Sequence, residues 1–176
     1  MVVKIKQDEI QNLPDALTGE SFVLLFGSIP GNSDTRRLAL QCKTCQIPAL
    51  SNETITIQLA GYQKRQSGTN TNDGTFTCTF NETHDMAISN RLRTWMQYCR
   101  GTTSNSSMGY SEDYGRTATL NVFDTAGNLS ATYTIYKVSP QAIDAIALDS
   151  SQNAQAVEVS CTFRYDYCEY GDSITL

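Results

Sequence analysis

Apolar and polar residues alternate along several stretches of the chain, and a period of two is typical of β-strands with one buried face. With the short apolar run at 22–26, this pattern predicts strands at residues 22–26, 54–59, 75–80, 117–124, 130–138 and 156–167. Gly127 and Asn128 tolerate the positive φ of a tight turn, so 117–138 is predicted to be a hairpin. The fold is therefore predicted to be mainly β.

One segment has a helical period instead, at about residues 83–100. Its apolar residues form a single stripe, made of Ile88, Leu92, Trp95, Met96 and Cys99. Thr83 is a predicted N-cap and Gly101 a predicted stop. The stripe is expected to pack on the sheet, with Leu92, Trp95 and the strand residue Phe163 as anchors of the core.

The remaining segments have no regular pattern. Residues 1–18 are expected to form an N-terminal arm, and residues 61–74 and 101–115 to form polar loops. Residues 140–149 combine a proline turn with a short apolar run. No linker divides the 176 residues, so a single domain spanning 1–176 is predicted.

Charge and hydropathy exclude two classes of protein. The formal net charge is −5, which argues against a groove that tracks nucleic-acid phosphates. No apolar run approaches the roughly 18 residues that a spanning helix needs, so no membrane insertion is expected.

Catalytic and metal-binding chemistry has little support in the sequence. The chain has one histidine, His84, and it lacks the common nucleophile, phosphate-loop and zinc-protease motifs. Cys42 and Cys45 have the spacing of a zinc knuckle, but no second pair of ligands follows. We therefore predict no enzyme activity, no catalytic residue, no metal site and no cofactor.

Six cysteines allow 15 complete disulfide pairings, and the sequence does not choose among them. Cys78 and Cys161 lie on apolar strand faces, so each is predicted to be a buried thiol or the partner of the other. Cys42, Cys45 and Cys168 lie at predicted strand ends or edges. They are the better candidates for crosslinks, including disulfides between subunits that form after assembly.

The order of these elements resembles that of the tail tube proteins of tailed bacteriophages, particularly those with contractile tails. The resemblance covers about residues 19–170 and depends on an ordered set of features, not on one motif. The set contains the 42–48 Cys-to-Pro segment, the alternating strand ending at Gly61, Lys64 and Gly68, the 76–80 strand, Asp85 before the helix with Leu92 and Trp95, the hairpin, the 136–140 Tyr-to-Pro segment, and Phe163 to Asp166 in the last strand. Type VI secretion tubes and pyocin-like tubes share this fold.

The resemblance implies an antiparallel β-sandwich or small barrel flanked by one helix. It also implies that six copies form a ring and that stacked rings form a hollow tube for genome ejection. The expected partners are further copies of the chain, the sheath, baseplate, tail-terminator and tape measure proteins, and genomic DNA in transit. The expected location is the virion tail, after assembly in the host cytoplasm.

The same resemblance assigns roles to charged residues. A ring of six would have a formal charge of 6 × (−5) = −30, so an acidic bore would bind DNA weakly. The candidates for the lumen are Asp124, Glu158 and Asp166. The candidates for contacts between stacked rings are Lys64, Arg65, Glu112 and Asp113.

Two alternatives remain open at this stage. The chain could form the tube of a type VI secretion or pyocin-like system, which carries no genome. It could also be a monomeric β-sandwich binding module with an aromatic platform, for which the tyrosines at 165, 167 and 170 are the one hint.

Overall fold

The computed structural model describes residues 21–31, 35–100, 109–146, 148 and 156–172. Within them the strands are β1 (Phe22–Phe26), β2 (Cys42–Cys45), β3 (Ser51–Leu59), β4 (Tyr62–Thr71), β5 (Thr75–Asn81), β6 (Arg116–Phe123), β7 (Leu129–Ile143), β8 (Glu158–Arg164) and β9 (Tyr167–Asp172). The helices are α1 (Arg36–Gln41), α2 (Ala87–Arg100) and α3 (Ser111–Tyr114). The predicted N-terminal arm at 1–18 and positions 101–108 of the second predicted loop lie outside the described residues.

Seven of the strands form one antiparallel sheet with the order β1-β6-β7-β8-β5-β2, and β9 also pairs with β7. The Phe26 ring on β1 lies 5.4 Å from the Phe163 ring on β8. These strands are three positions apart in the order, and neighbouring strands in a sheet are about 4.8 Å apart. The sheet must therefore curl over itself, and the prediction of a mainly β, sandwich-like or barrel-like fold with a flanking helix is confirmed.

The curl is centred on β7, which changes partners along its length. Its residues 131–136 pair with β9, whereas 139–143 pair with β8. Lys137 has a φ of +57° at a bulge opposite β6, and a second register shift follows Pro140. A bulge bends a strand and tolerates the missing N–H of proline. The predicted turn at 140 is therefore wrong, because the strand continues through the proline.

Aromatic rings fill the space inside the curl. The Phe163 ring contacts those of Phe76 at 5.4 Å and Trp95 at 5.9 Å, in addition to Phe26. Leu92, Trp95 and Phe163 are fully buried. Cys78 and Cys161 face the same core as free thiols, so they are buried as predicted and do not form a disulfide with each other.

Helix α2 begins four residues later than predicted, at Ala87, and its cap is a different residue. The Glu82 carboxylate accepts the backbone N–H groups of Ile88 and Ser89 at 3.0 and 2.9 Å, and also accepts the Ser89 hydroxyl. Burial raises the pKa of Glu82, but these hydrogen bonds outweigh burial and leave the pKa below its ordinary value. The predicted cap, Thr83, donates its hydroxyl to Asp85.

Two other predictions fail at the level of strands. The last strand is not continuous from 156 to 167, because Tyr165 and Asp166 separate β8 from β9 and send β9 to a different partner. Residues 61–74 are not a polar loop, because 62–71 form strand β4, which pairs antiparallel with β3. The sequence pattern predicts one helix, and the described residues contain the short helices α1 and α3 in addition to α2.

Candidate assembly surface

The hairpin of β3 and β4, here called the arm, projects from the curled sheet. It forms a separate two-stranded sheet, and all nine residues of β3 are exposed. Leu59 is 59% exposed and Tyr62 is 81% exposed. An isolated two-stranded hairpin is marginally stable in water, so the arm lacks the cover that usually stabilises such a unit.

The tip of the arm is a tight turn. Ala60 has a φ of +47° and Gly61 a φ of +85°. Two consecutive positive φ angles are typical of the type I′ turn, whose twist matches that of the flanking strands. Gly61 adopts a positive φ without strain, whereas Ala60 does so at an energetic cost. The turn joins β3 directly to β4 and continues the twist of the hairpin.

The register divides the arm into an apolar and a polar face, because cross-strand partners share a face. Ile57 lies opposite Lys64, and Thr56 lies opposite Arg65. The apolar face contains Ile55, Ile57, Leu59 and Tyr62, and it also carries the polar partners Lys64 and Gln66. The two basic residues predicted to act together in a stacking loop therefore project from opposite faces of a strand.

Open sheet edges form the second feature of this surface. Within the described residues, β1 pairs only with β6, β9 only with β7, and β2 only with β5. Val23 and Leu25 on β1 are 37% and 45% exposed and face away from the core. Each edge strand therefore presents unpaired N–H and C=O groups on one side, which can pair with another chain.

The acidic pair Glu112 and Asp113 lies exposed in the short helix α3. The Trp95 indole Nε1–H donates to the Tyr114 carbonyl at 2.8 Å, and the Arg116 guanidinium donates to the Glu112 carbonyl at 3.3 Å. The buried tryptophan thus holds α3 against α2. The sequence pattern predicts Trp95 as a core anchor, but it does not predict this hydrogen bond to α3.

The three carboxylates predicted to line the lumen lie at different places. Asp124 is in the β6–β7 turn, where its carboxylate accepts the N–H groups of Ala126 and Asn128 at 2.9 and 2.8 Å. Hydrogen bonds from Asn128 are the main cause of a lowered pKa of Asp124. Glu158 forms a salt bridge with Lys43, and Asp166 is exposed between β8 and β9. The structure therefore does not bring these three carboxylates together within one chain.

The three cysteines predicted to form crosslinks are half-buried free thiols. Cys42 and Cys45 are the first and last residues of β2, and Cys168 lies on β9 opposite Ile135. Cys42 and Cys45 contact the core beside Cys78. The crosslinks stay a prediction.

The tyrosine platform of the binding-module alternative does not form as one surface. Tyr165 is buried. Tyr167 stacks on Tyr136 with the ring centroids 4.4 Å apart, and Tyr170 meets Tyr133 edge-on at 5.5 Å. Positions 167 and 170 are three residues apart on one strand, so these two pairs project from opposite faces of the sheet.

The described residues contain neither a metal-binding cluster nor a membrane-spanning helix. No group of three or more His, Cys, Asp and Glu side chains is placed to hold a metal ion in the described ranges. Among the helices in that part of the chain, none combines the length and apolar character needed to cross a bilayer.

Comparison with known sequences identifies the family. The pattern of the phage tail tube protein family matches residues 14–170. The chain belongs to this family. The tail tube protein of Serratia phage KSP90 is 29% identical over 76 residues, which are 43% of each chain. The match thus spans less than half of that relative.

Solved structures share the fold at low sequence identity. A chain of the PVC sheath–tube complex, an extracellular contractile injection system in its extended state, has a TM-score of 0.64 at 12% identity, with 96% of this tail tube protein and 99% of that chain covered. A chain of the six-fold symmetrised baseplate of the anti-feeding prophage has a TM-score of 0.67 at 12% identity, with 93% and 100% covered. The predicted resemblance to tail tube proteins is confirmed.

Proposed function

We propose that this tail tube protein is the tube subunit of a contractile phage tail, in which six copies form a ring and stacked rings form the conduit for the genome. The observation that carries the proposal is the arm. Its apolar face is solvent-exposed in the single chain, and burial of apolar area is the dominant favourable term in protein association. A second copy of the chain supplies the cover.

The open edges support closure into a ring. In a ring, an edge strand of one subunit pairs with an edge strand of the next, and repetition around the ring leaves neither of these two edges free. Head-to-tail contacts of this kind use two different surfaces of each subunit. The β1 edge and the β9 edge are the two ends of such a contact, since both lie on the same half of the curled sheet.

Contacts between rings are assigned to the charged residues of the arm and of α3. Lys64 and Arg65 project from an exposed strand, and Glu112 and Asp113 from an exposed helical turn. The two ion pairs described within the chain join other residues, Arg37 with Asp85 and Lys43 with Glu158. Because Arg65 lies on the polar face of the arm and Lys64 on its apolar face, the proposal has Arg65 facing the acidic turn of the adjacent ring and Lys64 beside the apolar contact.

The net charge supports an acidic bore. Six chains have a formal charge of −30, and the lumen residues in this proposal are Asp124, Glu158 and Asp166. A carboxylate that accepts N–H bonds keeps its negative charge, as the lowered pKa of Asp124 indicates. A wall of this kind repels phosphates, so DNA passes without binding tightly.

The proposed location and partners follow from the family. The subunit lies in the virion tail after assembly in the host cytoplasm, inside a sheath protein. It ends against baseplate and tail-terminator proteins, and it encloses the tape measure protein before the genomic DNA. As a wall component it performs no catalysis.

A matched pair of double variants tests the role of the arm. Ile55→Asp with Ile57→Asp puts two charges on its apolar face, and Thr54→Asp with Thr56→Asp puts the same charges on its polar face. We expect negative-stain images of the wild type and of the threonine variant to show rings or tubes, and the isoleucine variant to sediment as a folded monomer. Rings formed equally well by the isoleucine variant would contradict the proposal.

A genome-free secretion or pyocin-like tube is the second candidate, because the chains that share the fold include those of an extracellular contractile injection system. Mass spectrometry of purified particles separates the two. The phage proposal expects this subunit in particles that contain DNA and a capsid. Its presence solely in DNA-free sheathed particles would favour the second candidate.

A further inference from the structure

Three cysteines converge where β2 joins the curled sheet, because of one irregularity in strand register. Residues 42 and 45 of a regular strand would lie on opposite faces, since side chains alternate. In β2, Cys42 is opposite Phe80 and Cys45 is opposite Cys78, with a register shift between positions 42 and 44. The extra residue moves both cysteines to the core-facing side, where Phe80 and Cys78 lie.

Cys45 and Cys78 are opposite each other in the ladder, and their sulfurs are in direct contact. The Cys78 thiol donates to the Cys45 Sγ at 3.2 Å. Just beyond the ladder, the Gln46 N–H donates to the Thr77 carbonyl at 3.1 Å, and the Thr77 N–H donates to the Gln46 side-chain Oε1 at 3.1 Å, so the hydrogen bonds flank positions 45 and 78. Positions 45 and 78 are therefore a non-hydrogen-bonded pair, the type with Cα atoms about 4.5 Å apart and the closer side chains. That separation lies within the range that a disulfide spans.

The thiols of Cys42 and Cys161 also have backbone carbonyl acceptors. Cys161, on the far side of Cys78, directs its thiol to the Thr162 carbonyl at 3.8 Å, and the Cys42 thiol is 3.5 Å from the Thr44 carbonyl. Hydrogen bonding to the Cys42 and Cys45 sulfurs, together with burial, raises the pKa of the Cys78 thiol. The Cys78 thiol donates to the Cys45 Sγ, so the two sulfurs that would join are already in contact.

We propose that Cys45 and Cys78 are a latent disulfide, which closes the base of the arm when the subunit meets a low-molecular-weight disulfide such as oxidised glutathione. Both residues flank the arm directly: β2 leads into it and β5 follows it. The bond links positions that are 33 apart in sequence and encloses the whole arm in one loop. The proposal concerns the single chain and does not require the tube.

The reaction balances as two thiol–disulfide exchanges. The half-buried Cys45, as thiolate, attacks one sulfur of oxidised glutathione, forms a mixed disulfide and releases one glutathione thiolate. The buried Cys78 sulfur then attacks the Cys45 Sγ as the bond from Cys45 to the second glutathione breaks, and the Cys78 proton leaves with that glutathione as its thiol. Two cysteine thiols are oxidised, and one glutathione disulfide is reduced to two thiols.

Peptide mapping of the full-length protein tests the pairing. The wild type is incubated with oxidised glutathione, alkylated and digested without reduction, next to Cys45→Ser, Cys42→Ser and Cys168→Ser. We expect a crosslinked peptide pair containing Cys45 and Cys78 in the wild type, Cys42→Ser and Cys168→Ser, and its absence in Cys45→Ser. Closing a 33-residue loop should raise the melting temperature of the same three proteins by about 10 °C.

Three results would overturn the proposal. One is a folded wild-type protein in which Cys45 and Cys78 stay alkylated as free thiols after oxidation. Another is a crosslink of Cys78 to Cys42 or to Cys161 in place of Cys45. The third is tight retention of one zinc ion per chain in native mass spectra, lost in each of Cys42→Ser and Cys45→Ser, because a metal-bound thiolate group would then replace the disulfide.

Discussion

Strands β3 and β5 carry the same kind of sequence but have opposite environments. In β5, alternate residues Phe76, Cys78 and Phe80 are buried in the core. In β3, Ile55, Ile57 and Leu59 alternate in the same way, and each is exposed. Alternation therefore shows that a strand has an apolar face, but it does not show which molecule covers that face. For β5 the cover is in the same chain, and for β3 the proposal places it in another copy.

The largest expected effect comes from removing the ring that joins both sides of the core. Phe163→Ala should lower the free energy of unfolding by about 3–5 kcal/mol, because a buried aromatic leaves a cavity among its neighbours. Urea unfolding of the monomer measures this loss. Phe163→Leu retains more apolar volume and should lose less. Equal losses for the two variants would mean that the core collapses around the site.

The cap of α2 should have the next largest effect. Glu82→Ala removes the acceptor for the backbone N–H groups of Thr83, Ile88 and Ser89 and for the hydroxyl of Ser89, which is fully buried. We expect a loss of about 2 kcal/mol in the same assay. Thr83→Ala, at the cap expected from sequence, should cost about 0.5 kcal/mol. A larger loss of stability for Thr83→Ala than for Glu82→Ala would mean that Thr83, and not Glu82, caps α2.

Acid should weaken the same helix entry. The Thr83 hydroxyl and the Arg37 guanidinium at 3.1 Å lower the pKa of Asp85 from 3.8 to about 2. A carboxylate with a lowered folded-state pKa contributes stability above its unfolded pKa, and this is lost as pH falls. The melting temperature should thus decrease between about pH 4 and pH 2, and less so in Asp85→Asn. Identical dependence of the melting temperature on pH in the wild type and in Asp85→Asn would contradict a role of the Asp85 carboxylate. High salt should reduce the difference between the two proteins.

The arm should show the smallest effect on monomer stability. Ile57→Ala changes an exposed residue and should alter the free energy of unfolding by less than about 0.5 kcal/mol. A loss of about 2 kcal/mol would mean that the chain covers its own arm. A small loss of monomer stability in Ile57→Ala, together with the loss of assembly expected for the charged isoleucine variant, would distinguish the exposed arm from the buried Phe163.

The parts of the fold that could be predicted are those that bury apolar side chains. The apolar stripe of α2 and the alternation of β5 show which side of each element is buried. The Gly and Asn of the β6–β7 turn show where the chain reverses. Strand β4 gives no such signal, because its residues are polar and it is held by backbone pairing to β3. A hydrophobic pattern does not reveal a strand of polar residues that is held by backbone hydrogen bonds.

The candidate surface was predicted less well, for two physical reasons. Lys64 and Arg65 were expected together in a loop, but a strand sends neighbouring side chains to opposite faces. The approach of Cys42 and Cys45 to Cys78 depends on a bulge, whose position is set by the fit of β2 to β5. Neither a register nor a bulge can be read from one strand alone.

Hydrogen exchange of the β3 and β5 amides, in isolated subunits and in the assembled state, tests the central claim most directly. The account predicts that β3 amides exchange fast in the monomer and become slower by about tenfold or more on assembly, while β5 amides are protected in both. Equal exchange of β3 in the two states would contradict the claim that another copy covers the arm.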